Sequence, residues 1–137
     1  MVTSLKAIRR TMLQINPALG RAEAVASLTT LNVVVTALAT GGSKQKWIDK
    51  WLMRADATSS ADRVRKTTDA TTSSGTLIHA GTNYADTTAT SEIVEILEFE
   101  PYLYDNAIQV TLARLKHLDR TELPTIQSQR RVWLGDC

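Results

Sequence analysis

The sequence predicts an α+β fold: a short N-terminal helix, a small antiparallel β-sheet or barrel, a long amphipathic C-terminal helix and an extended C-terminal arm. Three observations carry that expectation. Apolar residues recur at helical spacing over the first fifteen positions. Short runs of β-branched residues, separated by Gly, Ser, Thr and Asp, fill the middle. A proline-led stretch from Pro101 then returns to helical spacing. Helices placed at either end of a run of strands are the pattern of an α+β chain.

Thr3 or Ser4 can cap the first helix, in which Leu5, Ile8, Met12 and Ile15 mark an apolar side and Arg9 and Arg10 fall opposite. The helix should stop near Asn16-Pro17, because a residue before proline is pushed out of the α region. After Gly20, "SLTTLNVVVTALA" reads as a strand with Leu31, Val33, Val35 and Ala37 on one face. Gly41-Gly42 belong to an exposed turn. "WIDKWLMRA" reads as a strand, with a helical turn around Trp47–Lys50 as its rival. "RVRKTT" is a short strand with Val64 facing in, "DATTSSG" is turn chemistry and "TLIHAG" is a strand.

The stretch "EIVEILEF" places Ile93, Glu95 and Leu97 opposite Val94, Ile96 and Glu98. Pro101 suits the first position of the following helix, and Glu98 and Glu100 sit at its positive end. Tyr104, Ile108, Thr111, Leu112, Leu115 and Leu118 mark one face of it. The division is one domain over 1–137: helix to 20, β-rich core over 28–98, helix over 101–119, arm over 120–137. The arm carries a terminal "RRVWL" strand or anchor.

A chain of 137 residues can bury a modest core, and 43% hydrophobic with 22% charged residues is ordinary for a globular domain. A net charge of +2 is too small to point to nucleic acid. Its distribution is more telling. The chain is basic from Lys6 to Arg54, acidic over Glu92, Glu95, Glu98, Glu100 and Asp105, and basic again from Arg114. Such segregation can steer identical subunits together. On that ground Glu95, Glu98 and Glu100 are expected at a subunit contact with the basic half of a neighbour. The single cysteine, Cys137, offers no internal disulfide, and no signal-peptide pattern or membrane-length apolar run is visible. A reducing cytoplasm is the expected place of synthesis.

No catalytic, cofactor or metal site is expected. His79 and His117 lack a second ligand at metal spacing. Glu92 and Glu95 point to opposite faces of one strand, which argues against an acid pair. "SSG" and "GGSK" lack the full phosphate-loop signature. Trp47, Trp51 and Trp133 suit packing or subunit contact.

The segment from Trp51 to Leu118 resembles virion proteins of tailed bacteriophages. The resemblance lies in Arg63-Val64-Arg65, Gly75-Thr76-Leu77, Gly81-Thr82-Asn83-Tyr84, Glu92–Leu97 and Ala107–Leu115, about half the chain. It departs from the pattern in having Thr111 where alanine is usual. The resemblance implies a neck or head–tail connector: a subunit of a twelvefold ring, with the portal protein above and a tail or head-closure protein below. Genomic DNA would pass through the lumen without sequence-specific binding, and no membrane would be involved. It implies a place at the head–tail junction of the virion after synthesis in the host bacterial cytoplasm. It also implies a terminal arm that contacts a neighbouring component, with Arg130, Arg131 and Trp133 as its contact residues. The alternatives are a tail-associated structural protein and a small soluble module binding carbohydrate or nucleic acid through Trp47, Trp51 and Tyr84. An enzyme is the weakest, for want of any constellation to support it.

Overall fold

The computed structural model of this chain describes residues 4–87 and 92–117. The fold is α+β. Helix α1 (Leu5–Ile15) is followed by strands β1 (Gly20–Ala24), β2 (Ser27–Leu28), β3 (Asn32–Val34), β4 (Trp51–Met53), β5 (Val64–Thr71), β6 (Thr76–His79) and β7 (Ile93–Leu97). Helix α2 (Pro101–His117) comes last. The expected extended arm lies outside the described residues.

All strand pairs are antiparallel, in the order β1-β7-β4-β5-β6-β3-β2. The two ends of that order are one stretch of chain. Between β1 and β2, Val25 N–H donates to Glu92 O at 3.0 Å while Ala26 N–H donates to Val34 O at 2.8 Å. Residues 20–28 thus bond to β7 on one side and then to β3 on the other, and the sheet closes on itself as a barrel. The opposite corner is β5, which pairs with β4 through Val64–Lys66 and with β6 through Thr67–Thr71, with an irregularity between Thr67 and Asp69. A bulge of this kind lets one strand bend between two sheets.

Two apolar clusters lie on the two sides of the sheet. Val33, Val35, Leu52, Leu77, Val94 and Ile96 fill the inside, together with Leu38, Trp47 and Tyr84 from the connections. Leu97 meets Leu13 of α1 and Tyr104 of α2 outside, flanked by Met12, Leu19, Trp51 and Met53. Strand β7 is covered on both faces, which is why Val94 and Ile96 belong to the inner cluster and Leu97 to the outer. Each fully buried aliphatic side chain contributes about 1.5–3 kcal/mol by leaving water.

Local chemistry accounts for the element ends. Ser4 Oγ accepts from Ala7 N–H at 3.2 Å and starts α1, and the helix ends before Pro17 as the sequence predicts. Gly20 and Gly75 have φ of +139° and +70°. A Cβ at Gly75 would sit 2.1 Å from Val35 O, and one at Gly20 2.2 Å from Ile96 O. No larger residue fits either position, because the neighbouring backbone occupies the space.

Several expectations are corrected. The strand predicted through Ala37 ends at Val34 and gives way to a 3-10 turn over Thr36–Leu38. In "WIDKWLMRA" the strand is confined to Trp51–Met53, and the helical turn lies earlier than expected, over Lys44–Trp47, sharing only Trp47 with the expected Trp47–Lys50. Val64 does not face the core; Thr67 and Ala70 do. The β-rich core begins at Gly20, before the expected boundary at 28. In α1 the packed residues are Arg9 and Leu13, while Ile15 is exposed.

Candidate functional site

The acidic segment and the basic early half, expected to join neighbouring copies, pair within one chain. Glu95 projects from the outer face of β7 and is 0% exposed. Arg9, 1% exposed, donates to it from Nε at 3.1 Å and from Nη2 at 2.8 Å. The remaining Arg9 nitrogen, Nη1, donates to Asp105 on α2 at 2.6 Å. One guanidinium therefore ties α1, β7 and α2 together. Arg10 stands 3.7 Å from Glu95 and donates to Asp56 at 3.1 Å, beside Lys6 at 2.6 Å from the same carboxylate. Burial alone would disfavour the charge on Arg9, but its hydrogen bonds and the charges of Glu95 and Asp105 hold its pKa above the usual arginine value.

A second charged group closes one end of the barrel. Arg54, with 0% exposure, meets Glu92 through Nε at 2.7 Å and Nη2 at 3.0 Å. Its Nη1 donates to Asp86 O at 2.9 Å. Asp62 accepts from the backbone N–H groups of Ala85 and Asp86 at 2.8–3.0 Å, and these bonds, helped by Arg54 and Arg65, hold its pKa below the ordinary carboxylate value. The guanidinium carbons of Arg54 and Arg65 lie over the ring of Tyr84, 4.5 and 5.0 Å from its centre, and the His79 ring is tilted at 59° to it with centres 4.4 Å apart. Burial pushes the Tyr84 hydroxyl up to about 12. Burial also lowers the His79 pKa, its two ring nitrogens facing Ala80 O and Thr30 O.

The residues singled out from the sequence thus have different fates. Glu95 is interior and committed to Arg9, so it is not available at a surface. Glu98 is exposed and held by Lys50 at 2.6 Å; Glu100 is half-buried at the start of α2. Arg130, Arg131 and Trp133 lie outside the described residues. Glu92 and Glu95 point to opposite sides of the sheet, as the alternation predicts. Trp47, Trp51 and Tyr84 do not form a stacking platform: Tyr84 and Trp47 belong to the inner cluster, and Trp51 flanks the outer one. No group of His, Cys, Asp and Glu suited to a metal ion occurs among the described residues. No helix among them is long and apolar enough to cross a membrane.

Two surface features remain. A cleft of about 540 Å³ lies between the end of α1, β1 and the Lys44–Trp47 turn, with Leu13, Pro17, Trp47 and Ile96 among its walls. Its cations are already engaged: Arg21 pairs with Glu23, Lys50 with Glu98, and Lys46 lies 5.0 Å from the centre of the Trp47 ring. The other feature is α2. Its buried residues stop at Ile108, and every position from Gln109 to His117 is exposed, including Val110, Leu112 and Leu115. The sequence marked this stripe but gave no sign that the body ends beneath it halfway.

No family model matches the chain, and neither a curated protein nor a solved structure matches it.

Proposed function

We propose that this chain is a structural subunit of a tailed-phage neck, one copy in a twelvefold ring joining portal and tail around the DNA channel. The observation that carries the reading is α2. Its apolar stripe continues past the body that buries its first half, as expected of a part completed by neighbours. The rest of the domain suits a rigid building block. Buried Arg9 ties the closed barrel to its two flanking helices, buried Arg54 braces one end of the barrel, and parts of the phage-like pattern lie in its strands and last helix. Gly75-Thr76-Leu77 starts β6, Glu92–Leu97 contains β7, and Ala107–Leu115 lies within α2. The portal would sit above and a tail or head-closure protein below.

The test is immunogold labelling of gradient-purified particles with antibody against this chain. Label at the head–tail junction is the expected result. Label at the tail tip would move the protein to the tail, and unlabelled particles would overturn the virion assignment.

A further inference from the structure

We propose that the overhanging half of α2 docks on the root of α2 in a second copy of this chain. The inference names a contact for the ring proposed above and to that extent rests on that reading.

The stripe that begins with buried Tyr104 and Ile108 continues, one and two turns on, through Leu112 and Leu115, which are 44% and 56% exposed. Large apolar side chains that continue a packed stripe into solvent are a contact surface without its partner. A second apolar patch lies at the other end of the helix, where Phe99, Tyr102 and Leu103 are 52%, 61% and 44% exposed. The helix rises about 1.5 Å per residue, so Leu103 and Leu115 stand about 18 Å apart and cannot cover one another within one chain.

Charge decides the pairing. The overhang carries Arg114 and Lys116, which make no ion pair among the described residues. The root carries Glu98 and Glu100, of which Glu100 is likewise without one. Overhang against overhang would bring cations together. Overhang against root joins apolar to apolar and cation to carboxylate. The contact unites two different surfaces, so repetition builds a ring or chain, whereas a reciprocal antiparallel crossing closes a dimer.

The experiment is sedimentation of the full chain over a range of concentrations at low salt, with charge-reversal partners. Wild type should self-associate. Glu100→Lys alone and Arg114→Glu with Lys116→Glu should each weaken association by at least about tenfold. Mixing the two variants should restore it, because each then offers the other a complementary pair. Leu112→Ser with Leu115→Ser should weaken it without changing the helical circular dichroism, since both side chains are already exposed. A monomeric wild type, or reversals that leave association unchanged or unrescued on mixing, would overturn the proposal. Neither result would touch the neck assignment, which stands or falls on where the antibody binds.

Discussion

The two buried arginines each hold two carboxylates and do different work. Arg9 sits outside the barrel and joins three elements, with Glu95 wholly buried and Asp105 29% exposed. Arg54 sits at the end of the barrel and joins connections, its carboxylates Glu92 and Asp62 both buried. A charge taken out of water is tolerated only when its hydrogen bonds are nearly all satisfied. Both arginines meet that condition, but the consequences of failure differ. Losing Arg9 frees helices from a barrel that can persist. Losing Arg54 strips the charge partner from the end that holds the inner cluster shut.

Removing one partner of a buried pair costs about 3–5 kcal/mol, because the other charge is left uncompensated. Arg54→Ala is expected at the top of that range, for it also takes a cation from the face of Tyr84. A urea titration followed by tryptophan fluorescence should show one cooperative transition at a lower midpoint. Arg9→Ala should cost less, because Arg10 stands within 3.7 Å of Glu95. The double variant Arg9→Met with Glu95→Leu should recover most of that loss, since apolar side chains replace the pair outright. Equal losses at Arg9 and Arg54, or no recovery in the double variant, would erase the distinction between the two sites.

Neither pair was legible in the sequence, though much of their setting was. The helical spacing of 5–15, the alternation of 93–97 and the proline at 101 are local signals, and each element formed where it was expected. The helical spacing of Ile8 and Met12 points to another inward face and puts Arg9 opposite it, on the solvent side. Its partners lie 86 and 96 positions away, and no local pattern announces a carboxylate waiting under a helix. The charge segregation was visible but its meaning was not, for complementary segments can pair within one chain as readily as between chains. Gly20–Ala24 carries no local strand signal for a related reason. "GRAEA" has little strand propensity, and the pairing of all five residues with β7 imposes the strand.

Smaller changes refine the picture of the Arg54 site. The Tyr84 hydroxyl is buried without a hydrogen-bond partner among the described residues. A hydroxyl in that state costs about 1–3 kcal/mol, so Tyr84→Phe should stabilise the domain, on the order of 1 kcal/mol. A thermal melt checks it, and a destabilised variant would mean the hydroxyl is satisfied. His79, beside that ring, has a folded pKa below its unfolded value of about 6.5. The unfolded chain therefore binds the proton first as pH falls. The contribution of neutral His79 is complete above about pH 6.5 and is lost as pH drops through the folded value. Denaturation midpoints should decline over that window in wild type and less in His79→Gln. Parallel pH profiles would remove His79 from the account.

The smallest expected effect isolates burial from geometry. Lys50 and Glu98 approach to 2.6 Å, as close as any buried pair here, yet Glu98 is 44% exposed. An exposed pair keeps most of its hydration in both states and gains about 0–1 kcal/mol. Glu98→Gln should therefore shift stability by no more than about 0.5 kcal/mol, and raised salt should shrink even that. The three glutamates spaced along one strand and its end, 92, 95 and 98, would then differ severalfold in energetic weight at nearly equal distances from their cations. A loss at Glu98 matching that at Arg9 would mean that proximity, not desolvation, sets the strength of these pairs.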